Sequence, residues 1–470
     1  MSCRTARGTL KILPETGNRK PETGNRKPET GNRKPETGNR KPETGNRTVF
    51  GLSPEWLLYD GRPIATAQVL AHEAELERLS RLTPAAADTA VVAGDPAYDR
   101  MLASRHLRDR YREALGIAPD QKLVTVTSTW WRNSLLGSWP SVFREILGSL
   151  DRDRYRVAGL LHPNIWHGHG PWQLHTWLAD CLRAGLLLPP PAEGWQAVLL
   201  ASDVIVGDHG ATTVYGSCLD LPVLLATYPD DDVAPGSVGE LLGRSAVRLN
   251  RHEPLDVQIE RAHQNYRPGS LDEVAALVTS CPGESAARLR SLFYDLLHLP
   301  EPADGPVVPT LPVEAVASPP PPAEHASFVV CQPREPSRFG LRRYPADVSL
   351  DRSDSAAFAD AVLTAHEHHP DDALRRRAAI VLSSLGDQHA LTDVLRRHPQ
   401  ATVAAAAAAN GSLLLTKSGQ FLESTFADPE IAAAVLFDHL LREAIPHEAT
   451  VSCGGKLLDG RYISVPQISA

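Results

Sequence analysis

Lysine is scarce in most of this chain. The protein has eight, and five of them (Lys11, Lys20, Lys27, Lys34 and Lys41) belong to one N-terminal stretch. Positive charge is in deficit overall: 48 Lys and Arg against 56 Asp and Glu leave a net charge of −8. That balance speaks against a nucleic-acid partner, which calls for a concentrated basic face. No run of about 18 apolar residues exists, so no transmembrane helix is expected. Arg4 and Arg7 are not followed by an apolar h-region, so no secretory signal is expected either. The six cysteines (Cys3, Cys181, Cys218, Cys281, Cys331 and Cys453) stand far apart and form no C-x-x-C. That spacing excludes a zinc knuckle and does not resemble a disulfide framework. A reducing cytoplasm with buried, inert thiols is the expectation.

The length of 470 residues suggests two or three domains, and the 42% hydrophobic fraction is that of a globular chain. Residues 1–47 differ from the rest. Pro14 to Arg47 is the unit P-E-T-G-N-R-K in five copies, the last ending at Arg47. The unit has no apolar residue, so no register of helix or strand buries anything. Disorder is expected over 1–47, and a tandem DNA repeat translated from a wrong start would account for it. Leu13-Pro14-Glu15-Thr16-Gly17 spells a sortase signal, but no apolar segment follows it, so it reads as coincidence.

From Val49 to Leu299, short apolar strands alternate with helical patterns. Leu123–Ser128, Arg154–Leu161, Leu186–Leu188, Asp203–Gly207 and Pro222–Ala226 read as strands; Arg100–Leu115, Trp139–Leu150 and Pro171–Ala184 read as helices. This alternation predicts βαβ units and a Rossmann-like parallel sheet over 91–300. A Pro-rich linker follows over 301–338, with Pro319 to Pro322 in extended polyproline form. Residues 339–470 read as a small α+β domain of unknown role. Helices are expected at Asp354–His368, Asp372–Leu385 and Glu430–Ala444. A hairpin is expected around Asn410-Gly411-Ser412, and strands near Ala449–Ser452 and Arg461–Val465. His366, His368 and His369 read as the surface of a solvated helix rather than metal ligands.

Four segments at strand ends carry the chemistry. Gly207-Asp208-His209-Gly210 precedes a helix opening with Ala211-Thr212-Thr213; its glycines, free N–H groups and hydroxyls suit a phosphate. Leu161-His162-Pro163 places His162 at a strand end, where it can donate to a phosphate or transfer a proton. His167 and His169 add donors in the same loop, without a carboxylate spacing for a metal. Ser128-Thr129-Trp130-Trp131-Arg132 supplies hydroxyls and a guanidinium, with the tryptophans read as packing under the loop. Gly94-Asp95-Pro96-Ala97-Tyr98-Asp99 precedes a helix that Asp99 would cap.

The order of these motifs (Gly94, Pro96 and Asp99; Ser128, Thr129 and Trp130; His162 and Pro163; Asp208; Pro222 and Val223) resembles the C-terminal, donor-binding domain of CDP-glycerol glycerophosphotransferases, GT-B fold enzymes of cell-surface polymer synthesis. The resemblance covers Val91 to Leu297. It implies a nucleotide-activated sugar or polyol donor as partner, no cofactor, and peripheral association with the inner membrane face. It implies His162 as the catalytic residue. Asp208, His209, Gly210, Thr212, Thr213, Ser128 and Thr129 would bind the donor phosphates, with no metal. His209-Gly210-Ala211 departs from the family, which has tyrosine and two serines there. Thr48–Ala93 is too short for an acceptor-binding domain, and 48–90 reads as the remnant of a truncated one. Three functions stay open: a glycosyl- or glycerophosphotransferase, active or inactivated by that loss; a non-catalytic nucleotide-sugar binder or scaffold; and a UDP-N-acetylglucosamine 2-epimerase-like enzyme, on the partial match of Gly207 to Gly210.

Overall fold

The computed structural model describes Thr5–Ala6, Thr9–Ile12 and residues 51–316, 324–335, 337–349, 358–442 and 444–467. The repeat, the sortase-like pentapeptide, Cys3 and Pro319 to Pro322 lie outside the described residues. The chain divides into two compact units.

The first unit comprises Met1–Leu102, Asp231–Leu241 and Glu273–Pro309. In its sheet Ala67–Leu70 pairs in parallel with Ala90–Val92 and antiparallel with Thr9–Ile12. Thr5–Ala6 and Thr9–Ile12 are strands, so the expectation of disorder across all of 1–47 does not hold upstream of the repeat. Val69 and Ala93 pack on Leu289 of the helix Ser285–Leu297. Gly94 to Asp99 therefore belong to this unit, because the strand before them pairs with Ala67–Leu70. That differs from the single domain expected over 91–300.

The second unit comprises Ala103–Asp230, Leu242–Asp272 and Thr310–Ala470. Its parallel sheet holds β1 (Lys122–Ser128), β2 (Tyr155–Leu161), β3 (Val204–Gly207), β4 (Val223–Leu225) and β5 (Val247–Arg248), in the order β5-β4-β3-β1-β2. Leu187 adds one parallel bridge to Ala158 beyond β2, which is all that forms of the strand expected at Leu186–Leu188. With that bridge as the third crossing, the spatial order is that of a Rossmann sheet. The strand order reverses between β1 and β3. Both faces are covered, so the strands are continuous apolar runs. Val124, Val126, Val204, Val206 and Leu224 are at most 1% exposed.

The rest of the unit is a closed barrel: β6 (Ala326–Glu335), β7 (Arg338–Pro345), β8 (Ala361–His366), β9 (Ile380–Ser383), β10 (Val403–Ala408), β11 (Gly411–Thr416), β12 (Phe421–Ser424), β13 (Glu448–Cys453) and β14 (Lys456–Val465), in the order β6-β7-β13-β14-β12-β11-β10-β9-β8. Alternate residues face opposite ways, as the pleat demands. Val329, Ile380, Leu382, Val403, Ala405 and Leu414 pack with the helix Pro429–Leu441. Phe328, Val330, Val381, Ala404 and Leu413 join Leu374, Leu391 and Val394 of the helices Asp372–Arg377 and Gln388–Arg397.

Several expectations are corrected here. The barrel starts at Ala326, inside the stretch expected to be linker, and replaces the small α+β domain. The helix expected at Asp354–His368 is instead strand β8 over its described part. The helix expected at Asp372–Leu385 stops at Arg377 and is followed by β9. The reason is burial on both faces, which removes the period-2 signature of a strand. The hairpin at Asn410-Gly411, the helix near Glu430 and the strand near Ala449 form as expected. The H-E-H-H cluster is not on a solvated helix: His366 ends β8, and His369 is fully buried with Nε2 3.3 Å from Asp347.

Candidate functional site

Three neighbouring strands, β3, β1 and β2, end side by side. Ser128 is paired with Leu161 in register, and the His162 N–H donates to the Ser128 carbonyl at 3.0 Å. Thr129 and His162 therefore leave the sheet together. On the other side Val126 pairs with Val206, which brings the turn after Gly207 to the same edge. Two strand spacings, about 10 Å, separate the His162 loop from the Asp208 turn.

Asp208 is fully buried at the reversal of strand order. Its Oδ2 accepts the N–H groups of Thr129 at 2.8 Å and Leu135 at 2.9 Å; its Oδ1 accepts Gly210 N–H at 2.9 Å. Burial pushes this carboxyl above the usual range, and the three amide donors pull against that shift. Asp208 is thus a clamp that fastens the loop after β1 to the turn after β3. Thr213 is equally committed: its hydroxyl and that of Thr127 lie 2.7 Å apart in the core. Ser128 Oγ donates to the Thr129 carbonyl and accepts Leu136 N–H. The side chains of these three residues bond within the edge and hold it together.

Three other residues keep side-chain donors. The hydroxyls of Thr129 and Thr212 make no hydrogen bond among the described residues, and neither side chain is fully buried. His162 is half-buried. Its Nδ1 accepts Asn164 N–H at 3.1 Å, capping the helix Pro163–His169. An Nδ1 that accepts carries no proton, so the neutral ring bears its hydrogen on Nε2. Burial lowers the pKa of His162 from its ordinary value, which favours that neutral form. His162 is therefore set up as a hydrogen-bond donor rather than as a base. Gly210 and His209 complete the turn. A Cβ on Gly210 would stand 3.0 Å from both Asp208 Oδ1 and Thr129 Cβ, so the turn admits no side chain without a shift.

The tryptophans are not under the loop as expected. Trp130 is 42% exposed and Trp131 57% exposed. Trp130 stacks on His162 with ring centroids 6.2 Å apart. Trp131 has φ of 86°, a left-handed backbone that a bulky residue adopts only at a cost. Its carbonyl accepts both the N–H and the hydroxyl of Ser134, which hold the turn in place. No short-range pattern announced this strain. His167 and His169 are exposed, and no cluster of metal-ligating side chains occurs among the described residues.

The fourth motif does its work in the first unit. Asp95 Oδ1 accepts Ala97 and Tyr98 N–H and caps its own helix, the role expected of Asp99. Asp99 instead accepts the N–H groups of Gly283 and Ser285 and the Ser285 hydroxyl, at the start of helix Ser285–Leu297. The five cysteines among the described residues are free, and burial pushes the Cys181 and Cys331 thiols up to about 12. No helix among the described residues is long and apolar enough to cross a membrane.

No family model matches this chain, and no curated protein matches it. Among solved structures, the wall teichoic acid polymerase TagF is similar over 49% of this chain and 56% of its own, at 15% identity and a TM-score of 0.33. A glycosyltransferase from Rickettsia africae ESF-5 is similar over 49% of this chain and 63% of its own, at 13% identity and a TM-score of 0.30. A UDP-GlcNAc 2-epimerase from Neisseria meningitidis, bound to UDP-GlcNAc, is similar over 50% of this chain and 62% of its own, at 17% identity and a TM-score of 0.31. This chain spans less than two thirds of each of these structures, and the likenesses are too distant to assign it a family.

Proposed function

We propose that the carboxyl edge of the parallel sheet binds the diphosphate of a nucleotide-activated sugar or polyol donor, in a GT-B-type glycosyl- or glycerophosphotransferase. One observation carries this reading. Thr129, His162 and Thr212 keep unpartnered donors at three adjacent strand ends, while the polar side chains of Ser128, Asp208 and Thr213 around them are tied up in holding the loops. Open α/β sheets bind ligands where the strand order reverses, and Thr129 and Asp208 flank that place. The order of the sequence motifs supports the same class of donor.

In such a transfer an acceptor oxygen attacks the donor group, and its bond to the departing nucleotide phosphate breaks. Negative charge collects on the departing oxygens. Nε2–H of His162 and the hydroxyls of Thr129 and Thr212 are neutral donors placed to meet it. Trp130, stacked on His162, offers an aromatic face to the base.

A second reading, a nucleotide-sugar binder without turnover, is favoured by the capping bond of His162. That bond denies Nε2 the role of base, and Asp208 is spent as a clamp.

Calorimetry of the full chain with CDP and UDP tests binding. Binding is expected at about 4–6 kcal/mol, millimolar to high micromolar. No heat with either nucleotide overturns both readings. Binding together with nucleotide release from an activated donor selects the transferase; binding alone selects the second reading.

A further inference from the structure

A pocket of about 220 Å³ opens at the opposite end of the sheet, where β2 begins and the barrel strand β6 starts. Arg156 is the second residue of the seven-residue β2 and His162 follows its end. At about 3.3 Å per residue the two are roughly 20 Å apart. The pocket is therefore separate from the edge described above.

Three guanidinium groups line it, those of Arg152, Arg156 and Arg183. Two have partners. Arg152 Nη1 donates to Ser327 Oγ at 2.9 Å, and Arg183 Nε donates to Asp347 Oδ1 at 2.7 Å. Arg156 has none: its Nε is buried without a hydrogen bond, and no carboxylate among the described residues pairs with it. The one carboxylate lining the pocket, Asp153, is taken by Arg343, which donates to both its oxygens at 2.6 and 2.8 Å. Burial and the neighbouring Arg152 lower the pKa of Arg156, the signature of a cation lacking a counter-charge. An arginine stays charged in a protein, so this guanidinium is available to an anion.

We infer that this pocket binds a phosphate-class oxyanion, held by Arg156 and Arg152 between the parallel sheet and the barrel. The planar guanidinium matches two phosphate oxygens at once. The volume lies below the roughly 300–1,000 Å³ of sites for drug-sized ligands, which fits inorganic phosphate or a small phosphomonoester rather than a nucleotide. His325 and Ala326 of the barrel share the pocket walls with Arg152 and Arg156, so a bound anion touches both parts of the unit. Its expected effect is to stabilise their junction.

The test is thermal unfolding of the full chain in sodium phosphate against sodium chloride of equal ionic strength. Phosphate at ten times its Kd is expected to raise Tm by about 2 °C. Arg156→Gln is expected to lose that shift, and in chloride to melt no lower than the parent, because an uncompensated charge is gone. Arg152→Gln is expected to cut the shift at least twofold and serves if the first variant does not fold. His162→Asn is expected to keep the full shift, which separates this pocket from the nucleotide edge. A parent indifferent to phosphate, or an undiminished shift in the arginine variants, overturns the proposal.

Discussion

Thr127 Oγ1 and Thr213 Oγ1 lie 2.7 Å apart, both buried, in the space a side chain on Gly207 would need. A Cβ there would stand 2.3 Å from the first and 2.4 Å from the second. The last residue of β3 is a glycine because this hydroxyl pair joins β1 to the helix Ala211–Ser217 beneath the site. Gly207→Ala is expected to lower stability by about 1–3 kcal/mol, the usual cost of overpacking. Denaturant unfolding reads it, and an unchanged midpoint would show that the pair moves aside freely.

His162 does two jobs that substitution can separate. Nδ1 caps a helix, and Nε2 carries the ring's N–H. Asparagine is a good N-cap without a ring, so His162→Asn is expected to unfold within about 0.5 kcal/mol of the parent. His162→Ala loses the cap and about 1 kcal/mol. Both are expected to weaken nucleotide binding, by about 1.5–3 kcal/mol for one bond to a charged phosphate. Equal affinity in all three proteins would leave His162 a cap and nothing more.

Asp208 is a positioning residue, and its replacement should be visible in the backbone. An asparagine keeps one acceptor oxygen where the carboxylate has two, so it cannot serve Thr129, Leu135 and Gly210 together. Amide hydrogen exchange at one or more of these three residues is expected to speed up at least tenfold in Asp208→Asn, with stability down by about 1–3 kcal/mol. Unchanged protection at all three would remove the clamp.

Asp151 is one source of pH dependence. It is 6% exposed, and its Oδ2 has no hydrogen-bond partner among the described residues. Asp153, Arg343, Tyr344 and Cys453 face it. Burial, with the Asp153 charge beside it, raises its pKa from 3.8 to about 6. The folded state therefore holds this proton where the unfolded state has lost it. Stability is expected to fall as pH rises from about 4 to about 6.5, by up to about 3 kcal/mol from this group. Asp151→Asn is expected to flatten that slope and to unfold later than the parent at pH 8. A parent and variant with parallel profiles would place the titration elsewhere.

The parallel sheet was legible in the sequence because strands buried on both faces are short, apolar and separated by helices. Its sixth-crossing edge, β5, was not, because Val247-Arg248 is two exposed residues long. The barrel was half legible. Asn410-Gly411 forces a hairpin whatever surrounds it, while V-A-A-A-A-A in β10 is a poor strand former that only its neighbours make extended. Alanine fits there because the alanines of helix Pro429–Leu441 press on one face and helix Gln388–Arg397 covers the other.

By itself, the sequence determined which residues stand at the carboxyl ends of the strands, since strand and turn signals are local. Ser128, Thr129, His162, Asp208 and Thr212 were all found that way. Only the tertiary structure decided which of them are spent and which are free. That choice depends on pairings across 86 residues for Thr127 and Thr213, 79 for Thr129 and Asp208, and 190 for Asp153 and Arg343. No local pattern encodes such partners. A buried polar atom takes whatever partner the packed chain brings within 3 Å, and what is left over, at Thr129, His162, Thr212 and Arg156, is where the proposed ligands would bind.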